Sequence, residues 1–130
     1  MADSEEVLKK ILIVDDDSDC LNVMEIALRN DYHVTTEEDS EHALQLCHSN
    51  SFDLIILDIL MPGINGFDFY KALKKHKNPA KVIMMSGGMG SMAKADELLL
   101  KAFEIKGIDD TILKPFDIEV LEEKIKYCLG

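Results

Sequence analysis

Five residues have side chains that together could transfer a phosphoryl group. They lie at the end of an apolar run or within two residues after it: Asp15, Asp16, Asp58, Ser86 and Lys114. A carboxylate can act as the nucleophile, while a hydroxyl and an ammonium can stabilise the charge of a phosphoryl group. Clustered carboxylates also favour a hard divalent cation, and Mg²⁺ keeps open positions for phosphate oxygens. These residue types indicate Mg²⁺-assisted phosphoryl transfer, provided that the fold brings the five together.

Each of these residues alone also has a simple structural explanation. Asp58 and Ser86 are of types that are common in turns, and Lys114 could be a surface lysine. Neighbouring strands lie about 4.8 Å apart, so each pair of carboxylates at adjacent strand ends is destabilised by about 3 kcal/mol of repulsion. Protonation, exposure to water or a shared cation can relieve that repulsion. The functional interpretation therefore depends on the agreement of all the strand ends.

The apolar runs predict five β-strands, and a helical pattern follows each of them. The strands are predicted at Ile11–Val14, Tyr32–Thr36, Leu54–Leu57, Lys81–Ser86 and Thr111–Leu113. The helices are predicted from a cap at Asp17 or Ser18, from a cap at Ser40, from about Phe67 to His76, from about Ser91, and from a cap at Asp117. Five strand–helix units are typical of a parallel sheet with helices on both faces and right-handed crossovers.

The composition of the strands also predicts their order in the sheet. The first, third and fourth strands are apolar throughout, as expected for central strands that are covered on both faces. The second strand carries polar residues such as His33, and the fifth is short, which favours edge positions for both. This pattern fits a flavodoxin-like, doubly wound α/β fold with the strand order 2-1-3-4-5. Its topological switch point, between strands 1 and 3, would bring Asp15, Asp16 and Asp58 to one crevice.

Length and charge restrict the classes of function. A chain of 130 residues suits one domain, which we place at residues 10–130 after a short lead-in at residues 1–9. Lys and Arg total 14 against 25 Asp and Glu, and the net charge of −11 disfavours direct binding to nucleic acid or to an anionic membrane. No apolar run approaches the roughly 20 residues of a membrane helix, and the acidic amino end is unlike a signal peptide. The 3 cysteines, an odd number without metal spacing, favour a reducing cytoplasm.

Several motifs follow one another along the chain from about Lys10 to Leu129. They are Ile11–Asp17, Leu57–Asp58, Met61–Gly66, Met85–Gly87 and Leu113–Phe116. In type and order they resemble the receiver domain of two-component response regulators. This resemblance implies that Asp58 accepts a phosphoryl group from a histidine kinase or a histidine phosphotransfer protein. The chain would be a signalling phosphoacceptor that catalyses its own phosphorylation and slow dephosphorylation, and not an enzyme with turnover.

The resemblance also implies how a cation is held. Asp16 and Asp58 would bind Mg²⁺ directly, and the backbone carbonyl of Leu60 would be the third protein ligand. Asp15 would act through a water molecule. Mg²⁺ is therefore the expected cofactor.

The remaining residues would carry the response to phosphorylation. Ser86 would hydrogen-bond the phosphoryl group and Lys114 would pair with its oxygens, while the Lys114–Pro115 peptide bond is expected to be cis. Thr111 stands where the family usually has an aromatic residue that follows activation, so coupling to the output face is expected to differ. A downstream protein would bind the face formed by the predicted fourth helix, fifth strand and last helix.

Two other functions remain open. Asp15 and Asp17 also fit the strand-end D-x-D of haloacid dehalogenase-type phosphatases, although Asp58 would then have no role. A receiver-like interaction module that is never phosphorylated is the second alternative, and Thr111 leaves room for it. The chain could be a stand-alone receiver or one excised from a larger protein.

Overall fold

The computed structural model of this chain describes residues 7–87 and 107–130. The strands are β1 (Lys10–Val14), β2 (His33–Glu37), β3 (Leu54–Asp58), β4 (Lys81–Gly87) and β5 (Asp110–Lys114). The helices are α1 (Ser18–Leu28), α2 (Ser40–Ser49), α3 (Gly66–Lys75) and α4 (Ile118–Leu129). The ends of the predicted strands and helices in these ranges differ from the observed ends by one residue at most. The helix predicted from about Ser91 lies outside the described residues.

The five strands form one parallel sheet in the order β2-β1-β3-β4-β5. The predicted doubly wound α/β fold and its strand order are therefore confirmed. In this register Val14 lies opposite Leu57, and Asp58 lies opposite Met85. Because all strands run the same way, their carboxyl ends meet at one edge of the sheet, which is where the candidate residues were expected.

Alternate residues of the central strands build two buried layers, one on each face of the sheet. The layer on one face is shared with α2 and α3 and includes Leu12, Val14, Ile55, Leu57, Ala43, Phe69 and Leu73. The layer on the other face is shared with α1 and α4 and includes Ile11, Ile13, Leu54, Ile56, Leu21, Met24, Leu28, Leu121 and Ile125. Burial on both faces explains why β1 and β3 are continuous apolar runs. None of the helices in the described ranges is long and apolar enough to cross a membrane.

The helix caps correct one prediction. Asp17, one of the two predicted candidates, caps α1: its carboxylate accepts hydrogen bonds from two backbone N–H groups of the first turn. The cap of α2 is Asp39 and not Ser40: Asp39 Oδ1 accepts from the N–H groups of Glu41 and His42 at 2.9 and 3.3 Å. Both residue types are good caps, and the preceding strand ends early enough for Asp39 to take the position. The hydroxyl of Ser40 is therefore available for another contact.

Candidate functional site

The ends of β1 and β3 place two buried carboxylates side by side. Asp15 follows the last residue of β1, and Asp58 is the last residue of the neighbouring β3. Asp15 is fully buried, Asp58 is 6% exposed and Asp16 is exposed. One carboxylate oxygen from each of the three lies within 4.8 Å of the others. The acidic cluster that the sequence predicts is therefore present.

Lys114 reaches this cluster from the end of β5. Its ammonium Nζ donates to Asp15 Oδ2 at 2.6 Å and to Asp58 Oδ2 at 3.0 Å, and its side chain is 15% exposed. The second oxygen of each carboxylate accepts from the backbone: Asp15 Oδ1 from the N–H of Asp17 at 3.0 Å, and Asp58 Oδ1 from the N–H of Leu60 at 3.2 Å. One ammonium thus links two carboxylates whose orientations are fixed by the loops that follow their strands.

Burial and charge shift the proton affinities of this pair. Burial raises the pKa of Asp58 to about 6, and the neighbouring Asp15 adds to the rise, while Lys114 opposes it. Burial alone would lower the pKa of Lys114, but its hydrogen bonds to the two carboxylates and their charges outweigh that effect and raise it. Lys114 therefore stays positively charged at neutral pH, whereas burial opposes the ionisation of Asp58. A further positive charge in the pocket would stabilise the ionised Asp58.

The donor set fits Mg²⁺. All three side chains supply carboxylate oxygens, the hard ligands that this ion takes, and the exposed position of Asp16 leaves room for water and phosphate oxygens. Within residues 7–87 and 107–130, no other three His, Cys, Asp or Glu side chains converge in this way. The backbone of Leu60 lies beside the cluster through its N–H contact with Asp58. The role of its carbonyl as a ligand stays a prediction.

Ser86 and Thr111 lie on the strands between and beside the charged groups. Ser86 is in β4, one residue after the partner of Asp58 in the register, and it is 3% exposed. Thr111 is in β5 opposite Met84 and is 8% exposed, and it lies three residues before Lys114 in the same strand. Both are buried polar residues at the places where the sequence puts them, and their roles in switching stay predictions.

The wall of the site contains a residue that the sequence did not single out. Cys20, in the first turn of α1, lines a cleft of about 460 Å³ together with Asp17, Lys114 and Phe116. Burial raises the pKa of its thiol to about 11, which favours the protonated thiol at neutral pH. Only its place three residues after the Asp17 cap could have signalled this position. The peptide bond Lys114–Pro115, at the opposite wall, is cis as expected.

Comparison with known proteins finds similarity to response regulators and to their receiver domains. The family model described as the response regulator receiver domain matches residues 11–126. Among curated proteins, the response regulator ArlR of Staphylococcus saprophyticus is 34% identical over 123 residues, which are 94% of this chain and 53% of that protein. ArlR of Staphylococcus aureus matches with the same identity and coverage. The chain thus spans about half the length of the curated relatives it matches.

Solved structures of receiver domains are similar over nearly all of the chain. A CheY-like response regulator receiver domain protein from Methanospirillum hungatei is 33% identical with a TM-score of 0.77, and 94% of each chain is covered. A response regulator receiver domain protein from Clostridium thermocellum is 29% identical with a TM-score of 0.80, again over 94% of each chain.

Proposed function

The chain belongs to the response regulator receiver domain family of two-component systems, and on this premise we propose that Asp58 accepts a phosphoryl group from a histidine kinase or a histidine phosphotransfer protein. One observation carries the proposal: Asp58 is a buried carboxylate that shares its pocket with two further carboxylates and with the ammonium of Lys114. This set has a nucleophile, a cation-binding group and a fixed positive charge, the components that phosphoryl transfer needs. Response regulators interact with histidine kinases, which supplies the phosphohistidine donor.

In the proposed reaction, a carboxylate oxygen of Asp58 forms a bond to phosphorus while the bond from phosphorus to the histidine nitrogen breaks. The product is an acyl phosphate, and the released imidazole takes up a proton. Lys114, already 3.0 Å from Asp58, would pair with the phosphoryl oxygens, and the hydroxyl of Ser86 would donate a hydrogen bond to them. Asp15 keeps Lys114 in place through its 2.6 Å contact. Each of these groups is positioned by the end of a strand, so little rearrangement precedes the transfer.

Mg²⁺ would be held by Asp16, Asp58 and the carbonyl of Leu60, with Asp15 acting through water. When bound, this ion supplies positive charge that offsets the repulsion among the carboxylates and the phosphoryl group. The raised pKa of Asp58 supports this role, because the buried carboxylate ionises more readily beside an added cation.

Buried residues would transmit the effect of phosphorylation from the site to the protein surface. Phosphorylation adds nearly two negative charges and three acceptor oxygens at Asp58, which would draw in Ser86 and Lys114. A downstream protein would then read the surface of β5 and α4 together with the helix predicted from about Ser91. Thr111 would transmit this change in place of an aromatic residue.

We place the receiver domain at residues 10–130 and a lead-in at residues 1–9.

The test is intact-protein mass spectrometry after incubation with acetyl phosphate, with and without Mg²⁺. The unaltered chain is expected to gain the mass of one phosphoryl group in the presence of Mg²⁺ and to gain little without it. Asp58→Asn should abolish the gain while the fold is kept. Asp53→Asn is the matched control, because Asp53 precedes the opposite end of β3 and its carboxylate accepts from the N–H of Lys10. Normal labelling of Asp58→Asn would overturn the assignment.

The same experiment separates the two alternatives. A non-phosphorylated interaction module would take up no label in any variant. An aspartate-nucleophile phosphatase would turn over a phosphomonoester steadily instead of stopping at one label. The phosphatase alternative also needs the carboxylate of Asp17 in the site beside that of Asp15. In the structure this carboxylate instead accepts two hydrogen bonds from the first turn of α1, which disfavours that alternative.

A further inference from the structure

The hydroxyl of Ser40 joins the start of α2 to the loop that follows the proposed phosphoacceptor. Ser40 is 2% exposed. Its Oγ donates to the carbonyl oxygen of Pro62 at 3.1 Å and accepts from the N–H of Ile64 at 2.9 Å. Because Asp39 caps the helix, both hydrogen-bonding functions of this hydroxyl are used on the loop.

The contacted loop, residues 59–65, leads from Asp58 to α3. At its start the N–H of Leu60 donates to Asp58 Oδ1 at 3.2 Å, and at its end the N–H of Gly66 donates to the carbonyl of Ile59 at 2.8 Å. Its tip turns at Gly63, where φ is +82°. A proline followed by a glycine with positive φ is typical of a type II turn.

The two contacts of Ser40 lie on either side of that turn. Pro62 precedes Gly63 and Ile64 follows it, so one hydroxyl holds both peptide groups around the tip. The fit is close, because a Cβ built on Gly63 would lie 3.2 Å from Ser40 Oγ. The base of the loop is thus tied to its own backbone and to Asp58, whereas its tip is tied to α2 through Ser40.

We propose that Ser40 is a positioning residue for the Asp58 site: its hydroxyl fixes the tip of the 59–65 loop, and the loop in turn presents Leu60 to Asp58 and to the cation. This inference rests on the proposed function. Ser40 touches no reacting atom and acts only through the loop. Without the hydroxyl the loop samples other conformations. The apparent affinity for Mg²⁺ then falls in proportion to the fraction of molecules whose loop remains in the binding-competent conformation.

The central measurement is calorimetric titration with Mg²⁺ of the full chain and its variants. Ser40→Ala is expected to weaken Mg²⁺ binding by about threefold to tenfold, at or below the lower limit for residues that contact a metal ligand directly, because Ser40 acts only through the loop. Labelling by acetyl phosphate should slow at low Mg²⁺ and recover when Mg²⁺ is saturating. Ser49→Ala is the matched control, because Ser49 is in the same helix but its hydroxyl bonds only nearby groups among the described residues, donating to the carbonyl of Gln45 and accepting from the side chain of Asn50. It should leave both quantities unchanged.

A second measurement does not depend on the cation. Amide hydrogen exchange of Ile64 and Leu60 in the metal-free chain should be faster in Ser40→Ala than in Ser49→Ala, while far-UV circular dichroism confirms that both are folded. Ser40→Thr keeps the hydroxyl and should keep most of the Mg²⁺ affinity. Equal losses in Ser40→Ala and Ser40→Thr would assign the effect to packing and overturn the proposal.

The outcomes also separate this inference from the proposed function. If the unaltered chain binds no Mg²⁺ and takes up no label, the proposed function fails, and the inference fails with it. If the unaltered chain binds Mg²⁺ and is labelled, but Ser40→Ala does both equally well, only the role of Ser40 is overturned.

Discussion

Lysine and aspartate meet at both ends of the sheet, but in opposite settings. At the carboxyl edge, Lys114 contacts Asp15 and Asp58, and these three side chains are 15%, 0% and 8% exposed. At the amino edge, Lys81 Nζ lies 3.8 Å from Asp109 Oδ1, and these side chains are 53% and 26% exposed. The same residue types therefore form a buried cluster at one end and a surface pair at the other.

The carboxylates also make different contacts at the two edges. At the amino edge they complete the backbone: Asp53 accepts from the N–H of Lys10, and Asp109 accepts from the N–H of Val82, both at 2.8 Å. At the carboxyl edge three carboxylates lie together and the ammonium of Lys114 contacts two of them, so negative charge is in excess. A proton or a cation would offset that excess, so under the proposed function we expect pH, metal and phosphorylation to act at this edge.

The largest expected effect is that of Lys114→Ala in the absence of metal. Without the ammonium, Asp15 and Asp58 become buried carboxylates with no cationic partner, which destabilises the folded state by about 4 kcal/mol. Urea unfolding at neutral pH, followed by circular dichroism, measures the change. Mg²⁺ should still bind and recover part of the stability, because it replaces the missing positive charge.

Lys114→Ala should also uncouple phosphorylation from partner binding. The labelled variant is expected to lose the increase in partner affinity that labelling gives the unaltered chain. A metal-free Lys114→Ala protein as stable as the parent would show that the carboxylates do not need the ammonium. Unchanged partner binding by the labelled variant would contradict the switching role of Lys114.

The next effect is a stabilisation by Asp58→Asn that depends on pH. Burial raises the pKa of Asp58 from 3.8 to about 6, so the folded state holds this proton more tightly than the unfolded chain does. Stability contributed by this group is therefore lost as pH rises from about 4 to about 6, and it changes little outside that window. Asparagine has no proton to lose, so the variant should be more stable than the parent by roughly 2–3 kcal/mol above pH 6 or so.

Urea unfolding in EDTA between acidic and mildly alkaline pH tests this expectation. The two proteins should be equally stable at the acidic end and should diverge as Asp58 ionises in the parent. A constant difference across the range would mean that Asp58 does not titrate in this window. Mg²⁺ should narrow the difference, because it stabilises the ionised carboxylate of the parent.

The sequence predicts the strands that carry the site better than the side-chain contacts that support it. The strands and their order follow from apolar runs that are buried on both faces, and Asp15, Asp58 and Lys114 then meet because parallel strands end at one edge. These inferences use patterns that extend over several residues. They are insensitive to errors of one residue at the end of an element.

Side-chain contacts between distant segments are what the sequence does not show. Asp39 and Ser40 are both good helix caps, and only the structure shows that Asp39 takes the cap while Ser40 contacts Pro62, 22 residues away. Cys20 lies in the wall of the site because the first turn of α1 lines the same cleft as Lys114 and Phe116. Neither contact leaves a periodic signal, since each depends on where one loop crosses one helix end.

The smallest expected effect is at the amino edge. Lys81→Ala removes a pair whose charged atoms are 3.8 Å apart and whose lysine is more than half exposed, so the free energy of unfolding should change by less than about 0.5 kcal/mol. Asp109 keeps its hydrogen bond from the N–H of Val82 in this variant. Labelling by acetyl phosphate should be unaffected. Urea unfolding in parallel with Lys114→Ala checks the contrast, because the same substitution at the two edges changes the same chemical group. A loss at Lys81 as large as that at Lys114 would show that burial is not what distinguishes the two edges.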